Sequence, residues 1–105
     1  MATPKEVETR VSWLMVQVDC PDPAELDQSK EYCPAIDLVI ATDGVVNDAR
    51  LVAPPEFLGK DTQDCWRAKM LSWRLPRSAK GLELRGYTSY CTGFLTKPDP
   101  AYLSH

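Results

Sequence analysis

Residues 36–52 read IDLVIATDGVVNDARLV, and this stretch decides the fold. Apolar residues occupy every second position of its first half, which is the period of a strand with one buried face. The Asp43-Gly44 step then favours the positive φ angles of a tight hairpin turn, and Val45–Val52 is predicted as the returning strand. The stretch therefore predicts an antiparallel hairpin, in which Asp43 forms the turn and is not a catalytic acid.

A helix is predicted after the hairpin. Asp61 or Thr62 can cap its start, helical spacing runs to Leu75, and Pro76 ends it. Its apolar residues fall into two stripes on opposite sides. One stripe contains Trp66, Met70 and Trp73, and the other contains Ala68, Leu71 and Leu75. One must face the sheet, and the other is covered either by the chain itself or by a partner.

The N-terminal third predicts one strand and one short helix. Residues 1–10 are polar and are expected to be irregular. Apolar residues lie on both sides of a period-2 pattern over Val11–Asp19, which predicts a strand buried on both faces. Asp22 is a candidate N-cap, followed by Pro23 at the first helical position and Glu25 at the third. This pattern predicts a short helix that reaches Tyr32.

A last strand is predicted to start at Leu82 and to reach about Phe94, and residues 96–105 are expected to be irregular. Together these elements predict an α+β fold: a small antiparallel sheet of three to four strands packed against one main helix and a second short helix. The length of 105 residues, 44% of them hydrophobic, fits a single domain over residues 1–105.

The four cysteines indicate the cellular compartment of the protein. They are Cys20, Cys33, Cys65 and Cys91. Their wide spacing lacks the close pairs of metal sites, and the only histidine is His105, so no metal site is predicted. Two disulfides in an extracytoplasmic domain are favoured over four reduced thiols, with three pairings open. No run is apolar enough to span a membrane. We expect a periplasmic location, with a cytoplasmic location as the alternative.

Charge is distributed unevenly along the chain. Residues 1–64 carry a formal charge of −8 and residues 65–105 a charge of +5, which gives −3 in total. Six positive side chains lie within residues 67–85: Arg67, Lys69, Arg74, Arg77, Lys80 and Arg85. This stretch either balances the acidic half within the fold or binds an anionic partner such as nucleic acid. Because the whole chain is acidic, nucleic acid is the weaker interpretation.

Catalytic motifs are missing from the sequence. A single terminal histidine leaves no Ser-His-Asp or Cys-His arrangement, and five scattered glycines form no phosphate-binding loop. A carboxylate pair drawn from Asp37, Asp48 and Glu56 would need to converge before it could perform acid–base chemistry. We therefore predict no enzymatic activity and no cofactor.

Three motifs within residues 35–94 resemble the C-terminal domain of TonB-type energy transducers, especially the cysteine-containing TonB-like domains of myxobacterial proteins. The first is the hairpin quoted above. The second is CWRAKMLSWRLP at residues 65–76, which is similar to the helix of that family. The third is GLELRGYTSYCTGF at residues 81–94, a last strand that follows a basic, glycine-containing loop.

The resemblance implies a protein–protein interaction module of the cell envelope. In such domains an edge strand accepts an extended partner segment through its backbone N–H and C=O groups, or a groove binds it. The last strand would then be the edge. The residues implied to bind the partner are Arg77, Lys80, Leu84, Arg85, Gly86, Tyr87, Thr88 and Tyr90. Alternatively, the N-terminal strand of the chain itself pairs with this edge and leaves no docking site.

Overall fold

A computed structural model describes residues 1–20, 32–55, 58–89 and 91 of the chain. The elements, in chain order, are α1 (Pro4–Val16), β1 (Ala35–Ile40), β2 (Val46–Ala53), α2 (Lys60–Leu71) and β3 (Leu82–Tyr87). The sheet has the order β2-β1-β3, and both neighbouring pairs are antiparallel. The predicted α+β class is confirmed, with three strands in the described part of the chain.

The hairpin prediction is confirmed, and its turn has a second role. Asp43 Oδ1 accepts a hydrogen bond from the backbone N–H of Val45 at 3.1 Å. Gly44 has a φ of +89° and its carbonyl oxygen accepts from the N–H of Leu75 at 2.9 Å. A Cβ at Gly44 would lie 2.0 Å from the carbonyl oxygen of Leu75. Only glycine therefore lets the turn lie against the segment that follows α2.

The prediction of a strand over Val11–Asp19 and of irregular structure over residues 1–10 is wrong, because both regions contribute to α1. Thr3 caps this helix: its side chain accepts from the N–H of Glu6, whose carboxylate accepts from the N–H of Thr3. Val7, Val11 and Met15 are fully buried at helical spacing. Helical periodicity, together with the capping box, determines the local structure here.

The predicted main helix is confirmed with different ends. It is α2, whose N-cap is Gly59 and whose last residue is Leu71, so Trp73 and Leu75 lie beyond it. Trp66 and Met70 belong to the first predicted stripe and are buried, whereas Ala68 of the opposite stripe is exposed. The last strand ends at Tyr87. The predicted helix Asp22–Tyr32 lies, apart from Tyr32, outside the described residues, as do residues 96–105.

One face of the sheet is covered. On β1, the side chains of Ile36, Leu38 and Ile40 are buried, whereas the alternate residues Asp37 and Val39 are partly exposed. The buried side chains form one hydrophobic cluster with the inner sides of α1 and α2. The opposite face of the sheet is polar and carries Asp37, Arg50, Glu83 and Arg85.

All four cysteines are paired, as Cys20–Cys65 and Cys33–Cys91. The first disulfide joins the segment that follows α1 to α2. The second joins the residue two positions before β1 to the segment after β3. Two disulfides were predicted, and the structure selects one of the three pairings.

Candidate functional site

The sequence-predicted partner-binding residues do not form one surface. Arg77 and Lys80 lie in the loop that precedes β3, and both are exposed. Five residues lie in or directly after β3, and Tyr90 lies outside the described residues. Those five are Leu84, Arg85, Gly86, Tyr87 and Thr88.

The side chains of Leu84 and Tyr87 point to the covered face of the sheet. Leu84 belongs to the hydrophobic core. The Tyr87 hydroxyl donates to the carbonyl oxygen of Glu8 at 3.3 Å and shares a second hydrogen bond with Ser12 Oγ. Tyr87 therefore holds α1 against β3, and its side chain cannot contact a partner at the open face. The side chain of Tyr87, one of the residues implied to bind the partner, is thus engaged within the chain.

Gly86 lies in a β-bulge opposite Asp37. The register pairs Ile36 with Tyr87 and Leu38 with Leu84, so that the single residue Asp37 faces two residues of β3. Gly86 has a φ of +60°, and its N–H donates to Asp37 Oδ1 at 2.8 Å. The carboxylate thus satisfies a backbone donor that the bulge takes out of the strand ladder.

Asp37 is also the centre of an ion-pair network that crosses all three strands. Its Oδ2 lies 3.3 Å from the guanidinium of Arg50 on β2 and 3.5 Å from that of Arg85 on β3. Arg85 in turn contacts Glu83 at 2.6 Å. The hydrogen bond from Gly86, followed by the one from Arg50, lowers the pKa of Asp37 below its ordinary value. A carboxylate held in its ionised form by three donors is a structural anchor and a poor proton donor.

The outer edge of β2 is closed at Ala49 by two side chains. Asp48 Oδ1 accepts from the N–H of Ala49 at 3.0 Å, and Arg67 of α2 donates to the carbonyl oxygen of Ala49 at 2.8 Å. Arg67 and Asp48 also form an ion pair at 3.1 Å, which lowers the pKa of Asp48. Both backbone groups of Ala49 are therefore bonded by side chains, and this position cannot accept another strand.

The outer edge of β3 differs from that of β2. The N–H of Ala41, the residue after β1, donates a hydrogen bond to the carbonyl oxygen of Val45. Every second residue of β1, counted back from Ala41, therefore turns its backbone groups to β2. Leu38 occupies one of the alternate positions, so its N–H and C=O point to its partner Leu84 on β3. By the same alternation, the N–H and C=O of Glu83 point away from β1. No strand of the described residues pairs with β3 on that side.

The basic stretch 67–85 does not act as one free cationic surface. Arg67 and Arg85 are engaged in ion pairs with Asp48, Asp37 and Glu83. Arg74 donates to the carbonyl oxygens of Leu71 and Trp73. The basic and acidic parts of the sequence thus meet in the fold, as the charge-balance interpretation expects.

The described part of the chain holds no group of three histidine, cysteine, aspartate or glutamate side chains that could ligate a metal. Asp37 and Asp48 are each occupied by arginine, and Glu56 lies outside the described residues. Within residues 1–20, 32–55, 58–89 and 91, neither helix is long and apolar enough to cross a membrane.

Comparison with protein-family models, with curated proteins and with solved structures finds no match for this chain. The resemblance to TonB C-terminal domains therefore stays a prediction that rests on the three motifs of residues 35–94.

Proposed function

We propose that this chain is a non-catalytic protein–protein interaction module of the cell envelope, of the TonB C-terminal type, which binds an extended partner segment at the outer edge of β3. The observation that carries the proposal is the contrast between the two edges of the sheet. Asp48 and Arg67 close the β2 edge at Ala49, whereas Glu83 turns its backbone N–H and C=O outward from β3. An added strand would lose its main-chain hydrogen bonds at Ala49 on the β2 edge, and it would find the outward groups of Glu83 on the β3 edge.

The location proposed for this module is the periplasm. The disulfides Cys20–Cys65 and Cys33–Cys91 support it, because disulfides persist in oxidising compartments and are rare in the cytosol. A cytoplasmic protein with reduced thiols is the alternative, and a thiol count on the denatured, unreduced chain separates the two.

The partner segment would meet Glu83 and Arg85 on the open face. Both side chains are exposed, and both belong to the ion-pair network around Asp37. The backbone hydrogen bonds would supply affinity, and these two charges would select the partner. Arg77 and Lys80, in the loop before β3, would extend the contact toward an acidic flank of the segment.

The test uses a proline that removes one outward donor. Envelope extract is applied to the immobilised chain, the captured protein is identified, and synthetic peptides covering its extended segments are titrated against the wild type, Glu83→Ala and Glu83→Pro. Because the Glu83 N–H points outward, proline is tolerated there, as on other strand edges. We expect Glu83→Pro to weaken binding by about tenfold or more and Glu83→Ala, which keeps the donor, to weaken it far less.

Amide chemical shifts locate the bound peptide. On the proposal, the peptide shifts the amides of Glu83 and Arg85 and leaves that of Ala49 unchanged. A folded Glu83→Pro variant that binds as tightly as the wild type contradicts strand addition at β3. Tyr87→Pro is unsuitable as a probe, because Tyr87 also holds α1 through Ser12 and Glu8.

Nucleic acid binding through residues 67–85 gives a different result. Affinity would then fall steeply as salt is raised, because each contacted phosphate releases counterions. The engagement of Arg67 and Arg85 by carboxylates weighs against this alternative.

A further inference from the structure

The two outer strands of the sheet carry the same charges in the same order. β2 and β3 are both antiparallel to β1, so they run parallel to each other. Val39 of β1 has Asp48 as its register partner on one side and Glu83 on the other. Arg50 and Arg85 each follow two residues later, and both contact one carboxylate of β1. Each edge therefore presents an acidic and then a basic side chain on the open face.

Side-chain exposure does not distinguish the two edges either. The acidic side chains are exposed to similar fractions, 62% for Asp48 and 57% for Glu83, and so are the basic ones, 68% for Arg50 and 58% for Arg85. Opposite charges at paired positions of neighbouring strands stabilise the pairing. A partner segment whose charges match one edge would therefore match the other edge as well.

The edges differ in a contact made by Arg67. This side chain reaches β2 from α2, where it donates to the carbonyl oxygen of Ala49 at 2.8 Å and to Asp48 Oδ1 at 3.1 Å. The same oxygen of Asp48 accepts from the N–H of Ala49, so Arg67 also holds the side chain that occupies this donor. Ala49 lies near the middle of the eight-residue strand β2. A segment added to β2 would thus lose its backbone hydrogen bonds at the centre of the contact.

We infer that Arg67 determines which edge the partner segment uses: it prevents the segment from pairing with β2 and thereby confines binding to β3. The inference rests on the proposed function, because it concerns the same segment. Without Arg67 the chain would offer two edges with one charge pattern. Such a chain is bivalent and would crosslink partners that carry several segments, whereas the wild type binds one segment.

Arg67 can be replaced without opening the core. Half of its side chain is exposed (51%), whereas the core contacts of this part of α2 are made by Trp66 and Met70. Arg67→Ala therefore removes the contact with Ala49 and leaves the packing of α2 in place. The matched control is Lys69→Ala, which removes the same charge from an exposed position of α2. Lys69 lies two residues further along the helix and so projects from a different side of it.

A synthetic peptide titrated against the full chain, with its disulfides intact, tests the inference. The probe is a strand of about seven residues. It carries one glutamate and, two residues later, one lysine among threonine and valine, so that antiparallel pairing places each charge opposite its complement on either edge. Amide chemical shifts are followed in the wild type, Arg67→Ala and Lys69→Ala.

We expect the Glu83 amide to shift in all three proteins and the Ala49 amide to shift in Arg67→Ala alone. The dissociation constant at Ala49 in that variant should lie within about tenfold of the constant at Glu83. Calorimetry should show that the number of peptides bound per chain rises from one to two.

The outcomes separate the inference from the proposed function. A peptide that shifts Glu83 but leaves Ala49 unchanged in folded Arg67→Ala overturns the inference, and the proposed function stands. A peptide that shifts both amides equally in the wild type also overturns the inference, because the β2 edge is then open with Arg67 in place. If only Ala49 of Arg67→Ala shifts, closure by Arg67 is supported and the proposed function is wrong. Shifts at neither edge of any protein overturn both.

Discussion

The carboxylate of Asp37 accepts a hydrogen bond at 2.8 Å from the backbone N–H of Gly86, a residue 49 positions later in the chain. Asp37 lies in the central strand, and Gly86 lies at the bulge of the proposed binding strand. The same carboxylate holds Arg50 and Arg85. One side chain therefore couples the shape of the β3 edge to the charges that flank it.

Replacement of Asp37 should loosen the bulge. Asp37→Ala leaves the N–H of Gly86 without its acceptor and should lower the free energy of unfolding by about 1–2 kcal/mol. Asp37→Asn keeps an oxygen for Gly86 but loses the charge, so its cost should be below about 1 kcal/mol. Urea unfolding at neutral pH measures both. The matched control is Asp64→Asn, which removes an exposed ion pair to Lys60 and should cost less than about 0.5 kcal/mol. Equal effects for Ala and Asn would show that the hydrogen bond to Gly86 contributes nothing.

Stability should depend on pH through Asp37. The pKa of Asp37 in the folded chain is lowered, first by the hydrogen bond from Gly86, so the unfolded chain binds its proton more readily. The contribution of Asp37 is therefore complete above about pH 4, the ordinary aspartate range, and is lost as pH falls through the lower folded pKa. The wild type should be more stable than Asp37→Asn near neutral pH, and the difference should shrink in acid. Asp48, whose pKa is also lowered, titrates in both proteins and cancels from this difference. A difference that is constant with pH would contradict the assignment.

Among the glycines that the structure describes, Gly44 should be the most damaging to replace by alanine. The φ of +89° strains any other residue, and the new Cβ would meet the carbonyl oxygen of Leu75. Backbone strain alone costs about 1–3 kcal/mol, and the clash adds to it. Gly86→Ala is the matched control, because Gly86 also has a positive φ but its Cβ would meet nothing within 4 Å. Chemical unfolding should therefore show that Gly44→Ala has a clearly lower free energy of unfolding than Gly86→Ala. Equal losses would mean that the turn does not press against Leu75.

Local sequence signals predicted the hairpin and α2 because both are specified by neighbouring residues: the Asp43-Gly44 turn and the helical spacing before Pro76. The N-terminal helix was missed although its signals are present. Thr3, Pro4 and Glu6 form a helix start, and Val7, Val11 and Met15 recur at helical spacing. Apolar residues on other sides of this helix also fit a period of two. That second pattern favours the strand interpretation, which is wrong here.

The role of Asp37 could not be predicted, because it depends on a bulge that appears only when β1 and β3 are in register. One feature of each sheet edge has the same origin. The closure of the other edge needs Arg67 of α2 to reach Ala49, and the outward direction of Glu83 follows from pairing parity along β1. Long-range register is absent from any single segment of sequence.

The contact between α1 and β3 should be measurable as a coupling energy. Tyr87→Phe removes the hydroxyl that bonds Ser12 Oγ and the carbonyl oxygen of Glu8, and should cost about 0.5–1.5 kcal/mol. Ser12→Ala removes only the first of these bonds and should cost less. If the two side chains interact, the double variant is destabilised by less than the sum of the single variants. Strict additivity in urea unfolding would exclude the Tyr87–Ser12 hydrogen bond.

The two disulfides predict the thiol content and the stability of the purified chain. Cys20–Cys65 and Cys33–Cys91 leave no free cysteine, so a thiol assay on the denatured, unreduced protein should find none. The pair Cys20–Cys65 spans 45 residues, and its removal by serine at both positions should cost about 3–4 kcal/mol, mainly because the unfolded chain gains conformational freedom. Thermal unfolding of the double serine variant, compared with the wild type before and after reduction, measures this cost. Four alkylated cysteines in protein isolated under alkylating conditions would contradict both disulfides and favour the cytoplasm over the periplasm.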